Sequence, residues 1–344
     1  MGEMRDAGCG MRDAERPESL SFRGRASDRG ISAGQSEIPR CARNDRRDGA
    51  SRFSPLASRP TVGALVGELA EILTGAGVDE ARQEARDIVA AVLDVARFWP
   101  SVNRESVVAC ADVEAAWAAA RKRASGAPFA YAVGRVAFRH LTLDVDERVL
   151  IPRQETEVLV DAVLACAGRA GGTVVDVGTG SGAIALSLAS EGRFARVIGT
   201  DVSLGALEVA RRNAARLESV LACPVELRAG SLLAPVREVR AAVVVSNPPY
   251  IAYGEAPELP PAVRDWEPPI ALFSGGEGMG ATAAIIRGAA ELLEPGGLLA
   301  IEVDARRAVL GAELAMADGR YGEVSVRLDL AGRERILLAT RKAT

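Results

Sequence analysis

The chain has 344 residues, enough for two domains or for one large domain with an extension, and its 48% hydrophobic content supports a substantial core. Only 4% of residues are aromatic and 35 are glycine, which points to an Ala/Val/Leu-rich α/β protein. The net charge is −4: the first 60 residues hold 12 Lys/Arg against 9 Asp/Glu, leaving 30 against 37 in the remainder, and so acidic a body argues against broad nonspecific nucleic-acid binding.

Residues 1–59 are rich in Arg, Asp, Ser and Gly, with few large apolar side chains and no periodicity. They cannot bury enough surface to offset the entropy of ordering, so they read as a disordered extension or as the product of a misassigned start. The segment lacks the apolar core of a signal peptide. Helical spacing begins at Thr61, where Leu65, Leu69, Ile72 and Leu73 recur on one face until Gly75 and Gly77 stop the helix. A second amphipathic run covers Ala81 to Val95, and Val107 to Arg123 makes at least one more helix before Gly126 and Pro128. A small helical domain over 60–134 follows, with no catalytic constellation of its own.

Residues 135–152 change character. Alternation in Leu141-Thr142-Leu143-Asp144-Val145 predicts one strand and Val149-Leu150-Ile151 another, paired as a connecting hairpin. His140, the only histidine, is expected in a surface turn. From Glu155 onward short β-branched strands alternate with helices: Thr173–Gly178, Arg196–Asp201, Val225–Ala229, Val243–Asn247 and Leu298–Val303. That alternation predicts a largely parallel sheet with helices on both faces. Two terminal alternating runs, Glu323–Leu330 and Glu334–Thr340, read as an antiparallel hairpin.

Two segments carry chemistry. Val174-Val175-Asp176-Val177-Gly178-Thr179-Gly180-Ser181-Gly182 is a strand entering a glycine-rich turn and then a helix. Such a turn permits positive φ and close ligand approach, and the helix behind it offers free N–H groups. The Gly-Lys-Ser/Thr ending of a phosphate loop is missing. Asp201, at the tip of the next strand, is placed either to accept hydrogen bonds from ribose hydroxyls or to cap the helix before Ser203. The second segment is Asn247-Pro248-Pro249-Tyr250. Its prolines remove two backbone donors, leaving the Asn247 side-chain oxygen and the Pro248 carbonyl as acceptors for both hydrogens of a planar –NH2 group. Tyr250 can cover one face of that group. A plain Pro-rich turn leaving a strand is the alternative reading.

Asp-Val-Gly-Thr-Gly-Ser-Gly, the strand-end acid and Ser-Asn-Pro-Pro-Tyr together resemble class I S-adenosylmethionine-dependent methyltransferases acting on amino groups. Three flanking segments narrow the resemblance: Gly126-Ala127-Pro128-Phe129-Ala130-Tyr131, Val149 through Ile151-Pro152-Arg153-Gln154-Glu155-Thr156-Glu157, and Trp266-Glu267-Pro268 with Ala271-Leu272. These are similar to protein-(glutamine-N5) methyltransferases, which modify the Gly-Gly-Gln glutamine of peptide-chain release factors, and the likeness runs from about Thr61 to the C-terminus.

The resemblance implies a seven-stranded, mostly parallel sheet with a C-terminal antiparallel hairpin over 153–344, and substrate recognition by the helical domain. It implies S-adenosylmethionine as donor, held by Gly178, Thr179, Gly180, Ser181, Gly182, Asp201, Leu232 and Asn247, with no metal. It implies a substrate site at Asn247, Pro248, Pro249 and Tyr250, of which Asn247, Pro248 and Tyr250 carry catalysis. Glu155 and Glu157 either shape the pocket or favour the start of the helix that they open. Release factors are the implied partners, with no direct nucleic-acid binding and no membrane association. The chain departs from the family at Gly230-Ser231-Leu232, where relatives commonly have Gly-Asp, and at Glu302-Val303-Asp304, where they often show Glu-Gly. Both departures bear on donor affinity. A ribosomal-protein glutamine, an adenine-N6 acceptor in nucleic acid, and a noncatalytic donor-binding role are the competing readings. Five scattered cysteines (Cys9, Cys41, Cys110, Cys166, Cys223) without metal spacing fit a reduced, cytoplasmic setting. No apolar run reaches the roughly 18 residues that span a bilayer.

Overall fold

A computed structural model of the protein describes residues 59–167 and 171–343. The extension expected over 1–59 lies, but for its last residue, outside the described residues. The first helix, Val62–Gly75, starts where the Thr61 hydroxyl accepts the Ala64 N–H. Its Leu65, Leu69 and Leu73 point into one core with Ala85, Ile88 and Val89 of the helix Ala81–Leu93 and Ala116, Ala119 and Ala120 of the helix Cys110–Ala124. Each of the three leucines is at most 1% exposed, and burial of such a side chain is worth about 1.5–3 kcal/mol. The three-helix pattern therefore closes on its own apolar seam.

Strands β1 (Arg135–Phe138) and β2 (Leu141–Asp144) form the hairpin that follows. The expected pairing of Leu141–Val145 with Val149-Leu150-Ile151 is corrected here: the partner of Leu141–Asp144 precedes it in the chain. Arg139 sets the turn. It sits at φ 52° and its guanidinium meets Glu191 and Asp161 at 2.8 Å and the Glu157 carbonyl at 3.0 Å. His140 beside it has its side chain 80% exposed. Val149 and Ile151 are instead buried against Tyr131, whose hydroxyl donates to the Val149 carbonyl.

The second region is one seven-stranded sheet of β3 (Thr173–Val177), β4 (Arg196–Asp201), β5 (Val225–Ala229), β6 (Ala241–Ser246), β7 (Leu293–Glu302), β8 (Tyr321–Leu328) and β9 (Glu334–Arg341). Their order across the sheet is β5-β4-β3-β6-β7-β9-β8. The first five strands pair in parallel and the last two close antiparallel. This is the mixed sheet with a terminal hairpin expected from the alternating runs. Val174, Val243 and Ala300 face one apolar layer with the helices Gln154–Ala167 and Ala183–Glu191; Val175, Val244 and Leu299 face the other with Gly280–Leu292. Continuous apolar strands are what two covered faces require. Among the described residues no helix is long and apolar enough to cross a membrane.

Candidate active site

The strand order reverses between β3 and β6, the place where open α/β sheets hold ligands beyond their carboxyl ends. Val177 is in register with Ser246, and Ser246 with Ile301. The next residues out, Gly178 and Asn247 just beyond their strands and Glu302 at the last position of β7, therefore stand side by side. A cavity of about 380 Å³ opens there, lined among others by Gly178, Thr179, Gly180, Ser181, Asp201, Leu232, Asn247 and Pro249.

The glycine turn is built around a buried acid. Gly178 and Gly180 take φ of 73° and 56°, and beyond the adjoining residues of the chain no atom lies within 4 Å of where a Cβ would stand on either. Asp176 beneath them is fully buried; its Oδ2 accepts the Thr179 hydroxyl at 2.6 Å and the Ala185 N–H at 3.1 Å, while its Oδ1 has no partner. Burial pushes its carboxyl up to about 7, against those two hydrogen bonds and with a smaller push from Asp201. An unfolded aspartate titrates near 3.8, so between these values the folded chain holds the extra proton and loses stability as pH rises. Asp176→Asn abolishes this titration. Its stability relative to the parent should improve by about 3 kcal/mol between pH 5 and 8. Urea titrations across that range check this, and parallel pH profiles would refute it.

Asp201 spends one hydrogen bond per oxygen on backbone: Oδ2 accepts the Gly180 N–H at 2.9 Å and Oδ1 the Ser203 N–H at 2.8 Å. The helix Leu204–Leu217 is capped by Ser203, whose hydroxyl accepts the Ala206 N–H. Asp201 thus braces the turn and keeps free lone pairs on the cavity wall. Leu232 reaches the wall at φ 48°, its carbonyl accepting the Thr200 hydroxyl, and Ser231 stands next to it. Gly182 lies behind the wall; a Cβ there would stand 3.1 Å from Leu186.

Beyond β6, Asn247 Nδ2 donates to Thr156 Oγ1 at 3.0 Å, and the Thr156 hydroxyl donates to Glu302 Oε2 at 2.7 Å. Pro248 is buried and Tyr250 is turned away from the cavity, its hydroxyl 3.4 Å from both Glu302 Oε1 and Arg335 Nη1. Burial raises the Tyr250 phenol and the Glu302 carboxyl above their usual ranges. Glu155 and Glu157 stay outside the cavity, bonded to Arg333 and to the Arg139 N–H. Thr156, between them, lines it. Arg153 also lines it and donates to both oxygens of Glu267, at 2.6 and 2.7 Å. Tyr253 stacks on Phe273 (5.5 Å between centroids), and Ile270 and Val202, 57% and 54% exposed, form an apolar rim. Sequence reading missed Thr156, Glu302 and Arg153 as site residues; the one signal was their place inside the motifs already singled out. Among the described residues no group of His, Cys, Asp and Glu is arranged to hold a metal ion.

Sheet, turn and cavity are those of a methyltransferase, and residues 152–258 match the family described as Methyltransferase small domain. Residues 64–134 match the family described as PrmC N-terminal domain. The chain is 41% identical over 286 residues to the release factor glutamine methyltransferase of Moorella thermoacetica, covering 82% of this chain and 99% of that one. It is 42% identical over 270 residues to the enzyme of the same name from Cereibacter sphaeroides, covering 78% and 94%. The chain belongs to the release factor glutamine methyltransferase family. A solved methyltransferase from Pyrococcus furiosus is a more distant likeness, 20% identical over 60% of this chain and 92% of its own, with TM-score 0.46.

Proposed function

We propose that the protein transfers a methyl group from S-adenosylmethionine to the side-chain amide nitrogen of the Gly-Gly-Gln glutamine of release factors. One observation carries this reading: the glycine turn after β3 and Asn247 after β6 leave neighbouring strands and line a single cavity. The open space over Gly178 and Gly180, the free lone pairs of Asp201 and the apolar Leu232 fit a nucleoside with a charged amino-acid tail. When bound, S-adenosylmethionine supplies a methyl group made electrophilic by its sulfonium.

The residues of this chain act on the acceptor. A carboxamide nitrogen is a poor nucleophile because its lone pair is delocalised into the carbonyl. Asn247 Oδ1 and the Pro248 carbonyl accept its two N–H groups and favour a more pyramidal nitrogen with its lone pair directed across the cavity. No strong base acts first, since the nitrogen becomes acidic only as it is alkylated; the sulfonium would leave as a neutral thioether, and the proton that the nitrogen sheds would pass to solvent. Alignment supplies much of the acceleration; well-oriented reactions gain about 7–11 kcal/mol. Pro249 and the Ile270 rim give the acceptor loop an apolar seat, and the helical domain over 60–134 selects the partner. We place the reaction in the cytoplasm, in line with free Cys110, Cys166 and Cys223, and assign no part in it to nucleic acid or membrane.

Purified protein incubated with methyl-labelled donor and a release factor should place one label on the Gly-Gly-Gln glutamine and none when that residue is Glu. An unlabelled release factor, with label entering a ribosomal protein or a nucleic acid offered in parallel, would overturn the assignment of substrate.

A further inference from the structure

Asn247 raises a question that its motif does not answer. A carboxamide has two nearly isosteric ends, and only one of them, the oxygen, accepts hydrogen bonds. If the side chain were flipped, its NH2 would confront the acceptor's own N–H groups and the grip would become a repulsion. Something must decide the flip.

We propose that Thr156 and Glu302 form a positioning relay that holds the Asn247 carboxamide with Oδ1 toward the acceptor amide. The proposal rests on the reading of Asn247 as the acceptor grip. The direction of the relay follows from what each group is able to do. Both Glu302 oxygens face hydroxyl donors, Oε1 that of Tyr250 and Oε2 that of Thr156, with Arg335 beside them favouring the carboxylate against its burial, so the Thr156 hydroxyl spends its single proton on Oε2 at 2.7 Å. Thr156 Oγ1 is then left with lone pairs only and selects the NH2 end of Asn247 at 3.0 Å. Asn247 Oδ1 has no hydrogen-bond partner among the described residues, on a side chain that lines the cavity.

The relay is rigid at both fixed points. Thr156 is 4% exposed and stands in the first turn of the helix Gln154–Ala167, where a β-branched side chain has few rotamers. Glu302 is 1% exposed at the end of β7, the strand next to Asn247's own. Its other oxygen faces the Tyr250 hydroxyl, with Arg335 behind it held by Asp329 at 3.2 Å. Tyr250 thereby acts from beneath the motif as an anchor for the carboxylate. A chain of donors running one way, from Asn247 through Thr156 to Glu302, has one orientation of the amide that satisfies every member.

The test uses the full chain, which has four asparagines: Asn44, Asn103, Asn213 and Asn247. With asparagine-selective 15N labelling, the Asn247 side-chain pair is assigned by its loss in Asn247→Ala. Thr156→Val and Thr156→Ala should each move that pair toward random-coil shifts, and Thr156→Ser should leave it in place. In turnover assays the Val and Ala variants should lose kcat by about 10–100-fold, the scale of a slight misplacement at a reacting centre. Their donor Kd should stay within about threefold of the parent, and Thr156→Ser should recover most of kcat. An Asn247 pair unmoved in both variants, or full kcat in either, overturns the relay. Loss of donor binding in parallel with kcat overturns it too, since that is general damage to the cavity. The NMR readout needs no substrate: shifts that respond as expected in a protein inactive toward release factors would refute the proposed acceptor and leave the relay standing.

Discussion

Asn247→Ala should reduce methyl transfer by about a thousandfold while leaving donor affinity within a few-fold of the parent. Removing a single preorganised polar group from a reacting centre costs roughly 10²–10³ in rate, and because the same group also orients the nitrogen, where a misplacement of about 1 Å alone costs about 10², the loss should reach the upper end of that range. The residues that we propose hold the donor are others: the glycine turn, Asp201 and Leu232 make none of their hydrogen bonds to Asn247. Stability should change little, because the one internal bond lost is that to Thr156 Oγ1, worth about 1 kcal/mol. Single-turnover kinetics with labelled donor, beside calorimetry of donor binding, separate the two effects. Turnover near the parental rate would eliminate Asn247 as the grip. A matching collapse of donor binding would mean that the residue shapes the donor end as well.

Arg153→Ala should destabilise the protein by about 3 kcal/mol, the low end of the cost of removing one partner from a buried ion pair. Glu267 is 3% exposed and among the described residues its carboxylate pairs only with Arg153, whereas the Arg153 side chain is a third exposed, so solvent softens the loss. The pair joins the segment leading into the Thr156 helix to the loop beneath the cavity rim, so its loss should also loosen the site. The deficit depends on pH in a definite sense. Burial already raises the Glu267 carboxyl, and Arg153 opposes that rise. Without the arginine the carboxyl rises further and the folded variant holds its proton to higher pH. As long as pH stays below the parent's raised range, Glu267 is neutral in both folded proteins and the deficit is smallest; it grows as pH climbs from that range toward the still higher one of the variant. Chemical denaturation of both proteins at acidic and at neutral pH tests this, and a deficit independent of pH would refute the assignment to Glu267.

The strands were legible because each is short, apolar and bounded by turn residues. Arg196–Asp201 and Val225–Ala229 occur where the sequence puts them, and the others differ at their ends. The first hairpin was misread because its turn depends on Arg139 at positive φ, held by carboxylates from two helices distant in the chain. No local pattern reports such an anchor. Thr156 was passed over for the opposite reason: between Glu155 and Glu157 it looks like the least reactive of three neighbours, yet helical geometry turns it alone into the cavity.

By itself the sequence determined the order of strands and helices, the turn glycines, and the tetrapeptide whose prolines withhold donors. These follow from side-chain periodicity and from φ restrictions, which act within a few residues. Only the tertiary structure decided which groups meet beyond the sheet. The register of β3, β6 and β7 sets Gly178, Asn247 and Glu302 in a row, and the packing of one helix brings Thr156 between the last two. Those contacts span up to 146 residues of chain, and hydrogen-bond direction between such distant partners is settled by packing rather than by local sequence.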